Sequence, residues 1–217
     1  MDSETVTAAP TAFGMVAFDI ETMGLDPARD RITAACLYGA MDGPRPGQRV
    51  TRDASESGPH VVRTFVFRNE EPDSEDLAQR EEFMAHLDSA RGLCAFNGIR
   101  FDIPFLQRAW NIPATRVEAW IVKTFDVYEA CKLGLNATFS LDRLLAANSL
   151  ESKTGSGLHA IQLAKDSKWE ELGDYCMQDT RMTYLVSSQQ AIALPLHTVR
   201  GKRLVLDRGV DGLFTLW

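Results

Sequence analysis

Four carboxylates fall in three short stretches of otherwise apolar sequence. Asp19 and Glu21 lie in Phe18-Asp19-Ile20-Glu21-Thr22, Asp102 in Asn97-Gly98-Ile99-Arg100-Phe101-Asp102-Ile103-Pro104, and Asp179 in Tyr175-Cys176-Met177-Gln178-Asp179-Thr180. A carboxylate among core residues loses its hydration unless hydrogen bonds or a cation replace it. Four such positions point to one shared divalent-metal centre, because carboxylates and water are the ligands that magnesium prefers.

The elements that must position these acids can be read from periodicity. Val16, Phe18 and Ile20 alternate with Ala17, Asp19 and Glu21, so a strand here sets Asp19 and Glu21 on one face, roughly 6–7 Å apart along the chain. Gly92 to Phe96 is an apolar run followed by the turn pair Asn97-Gly98, and Pro104 is tolerated in the first turn of a helix over Phe101 to Trp110. Asp102 then stands at a helix start. Leu172, Tyr175, Asp179, Met182 and Val186 follow the three-and-four spacing of a buried helical stripe. That spacing puts Tyr175 and Asp179 one turn apart on the inward face. Ser167 and Glu170 have the spacing of a capping box for this helix, and Gly173 marks a candidate kink.

In this order the three stretches resemble motifs Exo I, Exo II and Exo III of the DEDD superfamily of 3′-5′ exonucleases, in the subgroup with tyrosine in the third motif (DEDDy), and in particular the proofreading domain of B-family DNA polymerases. The likeness runs from about Met15 to Leu185 and includes the Tyr-x3-Asp spacing of Tyr175 and Asp179. The histidine subgroup would need His where Asp174 stands. Ser140-Leu141-x2-Leu144 is similar to the Ser/Thr-Leu motif with which such domains grip single-stranded DNA.

The resemblance implies a ribonuclease-H-like α/β fold, a mixed central sheet with its first three strands antiparallel and helices on both sides. It implies two Mg2+ ions, replaceable by Mn2+. Asp19 would bridge them, Glu21 and Asp179 would complete the ion that activates water, and Asp102 would hold the leaving-group ion. Tyr175, a poor general base at its ordinary pKa of about 10, would position the nucleophile. Thr22, Asn97, Phe101, Ser140 and Leu141 would hold the 3′ end. The implied reaction is hydrolysis at single-stranded or frayed DNA 3′ ends, releasing 5′-mononucleotides. An exoribonuclease and a non-catalytic binding module of the same fold are the alternatives. A polymerase or another replication or repair protein is the implied partner.

Composition sets the outer bounds. The chain has 217 residues, 45% hydrophobic and 24% charged. This suits one well-packed domain over 13–217, after a flexible segment at 1–12. A net charge of −7 argues against wrapping a duplex, for which neutralised phosphates dominate affinity. It suits weak, non-processive contact with a few nucleotides. Cys36, Cys94, Cys131 and Cys176 are too scattered for a zinc site or a disulfide framework, and as buried thiols they fit a reducing compartment. With no signal peptide and no run long enough to span a membrane, a soluble intracellular protein is expected.

The remaining segments divide by turn chemistry. Strands are expected at Arg31 to Ala40 and Val61 to Arg68, flanking a Gly/Pro/Arg-rich hairpin loop over Met41 to His60 that could act as a basic flap. An amphipathic helix is expected over Asp73 to Ala90, with Phe83, Met84 and Leu87 inward. A strand is expected over Trp120 to Val127, with Asp126 as a cap. Short helices follow at Ser140 to Ala147 and Gly157 to Ala164, with Lys153 between them as a candidate phosphate contact. Val199 to Leu206 reads as a final strand whose Arg200, Lys202 and Arg203 either protect an edge or contact the substrate.

Overall fold

The computed structural model describes residues 15–40, 60–135, 138–151, 157–199, 202–208 and 214–216. The expected flexible segment 1–12, most of the 41–60 loop, and Lys153 lie outside the described residues. The elements run β1 (Met15–Thr22), β2 (Ile32–Ala40), β3 (His60–Val66), α1 (Ser74–Ser89), β4 (Gly92–Ala95), α2 (Asp102–Ala109), α3 (Ala114–Val122) and β5 (Thr124–Asp126). They continue with α4 (Val127–Leu135), α5 (Leu141–Ala147), α6 (Gly157–Lys165), α7 (Trp169–Ser187), β6 (Ala191–Val199), β7 (Lys202–Arg208) and β8 (Phe214–Leu216).

A five-stranded sheet of order β3-β2-β1-β4-β5 forms the centre. β1 pairs antiparallel with β2, and β2 with β3, while β1–β4 and β4–β5 are parallel. This is the expected ribonuclease-H-like arrangement, with β1 in the middle. The two faces of β1 divide as the alternation requires. Val16, Phe18 and Ile20 join Phe83, Leu87, Ile103, Leu106 and Trp120 in the largest core cluster, beneath α1, α2 and α3. Ala17 packs with Tyr184 of α7 on the opposite face, which is also the face of Asp19 and Glu21.

Helix α1 begins as its sequence specifies. Asp73 accepts the Glu75 and Asp76 N–H groups while Asp76 reaches back to the Asp73 N–H, and Phe83, Met84 and Leu87 are buried. Four expectations are corrected. Trp120 and Val122 end α3, so only Thr124–Asp126 is strand; Val127 already opens a helix, because Asp126 caps it. The Ser167/Glu170 capping box does not form: Ser167 takes a left-handed φ of 56°, and α7 starts after Lys168 with no side-chain cap bond. Gly173 does not interrupt α7. Its missing side chain lets the helix lie against β3, since a Cβ there would sit 2.9 Å from Thr64 Cγ2.

The expected final strand is instead parts of two. β6 and β7 form an antiparallel pair, joined by β8 in a separate three-stranded sheet. Asn148, after α5, fixes this sheet to the body. Its side chain donates to the Ala193 carbonyl at 3.0 Å and accepts the Ala193 N–H at 2.7 Å, as a neighbouring strand would.

Candidate metal centre

Asp19 and Glu21 stand at the C-terminal end of the central strand, where α7 crosses it. The β1–β2 register shifts between Glu21 and Thr22, so that Thr33 has no partner in the β1–β2 ladder. The Thr33 hydroxyl fills that irregularity by donating to the Glu21 carbonyl at 3.1 Å. Bulges of this kind re-aim side chains at a strand end. Thr22, buried, donates its hydroxyl to the Gly24 carbonyl at 2.6 Å, closing the chain as it leaves the strand.

Asp102 arrives from the other side of the sheet. Its Oδ1 accepts the Ile20 N–H at 3.0 Å, so the carboxylate grips the backbone between the two acids of β1. The turn that delivers Asp102 is built around Asp126. One buried carboxylate accepts the N–H groups of Asn97, Ile99, Tyr128 and Glu129, at 2.9, 3.0, 3.1 and 3.2 Å. Asn97 adopts φ 65°, which asparagine tolerates. Gly98 has room for no side chain, since a Cβ would fall 2.5 Å from Ala95 Cβ. Asn97 accepts the Arg100 and Phe101 N–H groups on its carbonyl, and the half-buried Phe101 ring packs on Phe105 at 5.6 Å.

Helix α7 supplies the third side. Tyr175, Cys176 and Asp179 are all buried on its sheet-facing surface. Cys176 directs its thiol at the Asp19 carbonyl, 3.7 Å away. Tyr175 lies in a cluster with Ala34, Ala160 and Leu163, and the His159 ring meets its edge at 5.8 Å.

Electrostatics show how closely the acids gather. Burial, then the charges of Asp102, Glu21 and Asp179 and the Cys36 thiol, hold Asp19 well above the usual carboxylate range. Asp102 is raised from 3.8 to about 7, chiefly by burial, with the Asp126 charge adding and the bonds from the Ile20 N–H and its own N–H opposing. Single ligand atoms of Asp19, Glu21 and Cys176 lie within 4.8 Å of one another. Three acids raising a fourth leave a hole of negative potential, and its carboxylate oxygens are donors suited to a hard divalent cation. The residues present therefore fit the implied ions.

Asp19, Glu21, Asp102 and Asp179 come together. The Ser140 hydroxyl caps α5 by accepting the Arg143 N–H at 3.4 Å, and Leu141 is buried with Leu144, Leu145 and Met182. Two residues gain importance that their spacing could not show. Asp126 organises the Asn97 turn as well as the cap expected of it. Cys176 reaches the carboxylates, which only its place beside Tyr175 on the buried stripe could have suggested.

A family model described as the RNase_H superfamily matches residues 16–189. The chain belongs to the RNase_H superfamily. Among solved structures, this RNase_H-superfamily chain is similar to a family B DNA polymerase from the hyperthermophilic archaeon Pyrobaculum calidifontis, with TM-score 0.55 and 17% identity over 79% of this chain and 24% of that one. It thus spans about a quarter of the polymerase's length. A structure described as the apo form of the nuclease aligns at TM-score 0.48 and 18% identity, over 79% of this chain and 69% of the other. No curated protein matches the sequence. Among the described residues, no helix is long and apolar enough to cross a membrane.

Proposed function

We propose that this protein is a divalent-metal-dependent 3′-5′ exonuclease that shortens single-stranded or frayed DNA 3′ ends and releases 5′-mononucleotides. One observation carries the reading: Asp102, Glu21 and Asp179, from three parts of the chain, all press their charge on Asp19 at the end of the central strand. Membership of the RNase_H superfamily supports a nuclease-type activity, and the motif spacing supports the exonucleolytic direction.

Bound divalent ions would supply the positive charge that acidifies the attacking water and stabilises the leaving oxygen. The chain's own part is placement. Asp19, Glu21 and Asp179 would hold one ion, and Asp19 with Asp102 the other. Tyr175, braced by His159, would orient the water without taking its proton. Thr22, Asn97 and Phe101 would hold the 3′ end, with Phe101 offering its ring to the terminal base. A polymerase or repair partner that presents the strand would compensate for the net charge of −7.

The test is end-labelled digestion of matched DNA and RNA, single-stranded, duplex and 3′-mismatched, with Mg2+. Stepwise shortening from the 3′ end of DNA is expected, and Asp19→Ala should abolish it while leaving the circular-dichroism spectrum unchanged. Faster trimming of RNA would transfer the assignment to an exoribonuclease. Cleavage by Asp19→Ala at near wild-type rate would refute the metal scheme.

A further inference from the structure

The proposed ion site contains one donor that a magnesium nuclease does not need. Cys176 is fully buried, one residue beyond Tyr175, and its sulfur lies within 4.8 Å of carboxylate oxygens of both Asp19 and Glu21. The side chain is already fixed in that direction by its contact with the Asp19 carbonyl at 3.7 Å.

We propose that Asp19, Glu21 and Cys176 form a mixed oxygen-and-sulfur corner that captures thiophilic divalent ions, Zn2+, Co2+ or Cd2+, through the Cys176 sulfur. The inference rests on the reading of Asp19 and Glu21 as metal ligands and adds a second class of ion to the same pocket. In a tetrahedral zinc site, metal–ligand bonds of about 2.0–2.3 Å put neighbouring donors roughly 3.5 Å apart. The three donors here need to draw in by about 1 Å, within reach of carboxylate rotation about its side-chain torsions. On binding, the Cys176 S–H bond breaks, its electron pair forms the metal–sulfur bond, and the proton passes to buffer. Magnesium has no affinity for sulfur and would sit among the oxygens of Asp19, Glu21, Asp102 and Asp179, whereas a softer ion would be drawn towards α7. A trapped soft ion, held off the position that activates water, would inhibit cleavage.

The full-length protein is titrated with Co2+ at fixed pH, and the thiolate-to-cobalt charge-transfer band in the near ultraviolet is followed. Wild type and Cys36→Ser should show the band. Cys176→Ser should lose it and bind Co2+ at least about tenfold more weakly. X-ray absorption at the zinc edge of the unmutated protein, which needs no variant to fold, should find one sulfur among oxygen ligands. An all-oxygen shell, or a band that survives in Cys176→Ser, overturns the proposal. If no band forms while Mn2+ still supports cleavage, the thiol corner fails and the exonuclease reading stands. If neither band nor metal-dependent cleavage occurs, both fall.

Discussion

Replacing Asp102 by asparagine should stabilise the metal-free protein while destroying its proposed activity. Asp102 is 3% exposed, and its carboxyl is raised from 3.8 to about 7, with burial the main cause. A carboxyl whose pKa is higher folded than unfolded binds its proton more tightly in the native state, so stability falls as pH rises between the two values. Below pH 3.8 nothing is lost; above about pH 7 the loss is complete. Each pKa unit is worth about 1.4 kcal/mol, so the ceiling is on the order of 4 kcal/mol at pH 8. The Asp102 charge also raises Asp19, so the two titrate as a pair and the realised value is roughly 2–4 kcal/mol.

The amide introduced by Asp102→Asn would keep an oxygen for the Ile20 N–H, so geometry is retained while the charge is removed. Urea denaturation of wild type and Asp102→Asn, in EDTA at pH 4, 6 and 8, is the assay. The two proteins should be nearly equal at pH 4, and the advantage of the amide should grow to its full size by pH 8. Saturating Mg2+ should shrink that advantage, because the variant keeps the ligands of one proposed ion but loses a ligand of the other, so the wild type gains more. A variant less stable at pH 8, or a difference independent of pH, would refute the account of Asp102 as a buried carboxylate held among other acids.

Other perturbations probe the supports of the site. Asp126→Ala strands four backbone N–H groups and should cost about 3 kcal/mol or more in chemical denaturation, with cleavage reduced because the turn carrying Asp102 loosens. Gly173→Ala gains about 1 kcal/mol of helix propensity, but the new methyl would meet Thr64 Cγ2 at 2.9 Å; overpacking of about 1–3 kcal/mol should leave a net loss in thermal denaturation. Asn148→Ala should cost about 1–3 kcal/mol and raise hydrogen exchange at Ala193, whose N–H loses its acceptor. Tyr175→Phe should slow turnover while leaving Mn2+ affinity nearly unchanged, read by steady-state kinetics and calorimetry.

What could be read from the sequence was what short-range pattern encodes. Strict alternation at Val16 to Glu21 fixed both the strand and the face of its acids, and Asp73 with its capping partner fixed the start of α1. Trp120 and Val122 misled because a short apolar run has no period of its own; Asp126, by accepting the Tyr128 and Glu129 N–H groups, turned the chain into helix three residues after the strand began. Ser167 had the right spacing for a cap, yet the backbone bond from Lys168 to the Leu163 carbonyl closes α6 and commits Ser167 to its left-handed turn. The β6–β7 pair was hidden because what ties it to α5 is long-range: the Asn148 side chain on Ala193, and Leu141, Leu144 and Leu145 packed with Ile192, Leu194 and Leu206. The Ser140-Leu141 motif shows a different limit. Ser140 caps α5 and Leu141 lies in the core, uses that do not exclude contact with a strand end and that spacing alone does not separate from it.

The candidate centre is assembled by carboxylates acting on backbone more than by packing. Asp126 ties the Asn97 turn to the start of α4, that turn delivers Asp102, and Asp102 in turn holds the Ile20 N–H between Asp19 and Glu21. Each link uses carboxylate oxygens as acceptors, so shape and charge can be separated by an amide of the same size. Packing enters on the α7 side, where Gly173 permits the close approach that brings Asp179 and Cys176 to β1. Mutual repulsion among the acids is therefore a cost carried by the metal-free fold, offset by backbone N–H groups on one side and by helix burial on the other. A protein that needed these acids only for stability would be better served by amides at the same positions, which is the physical reason for assigning them to a cation.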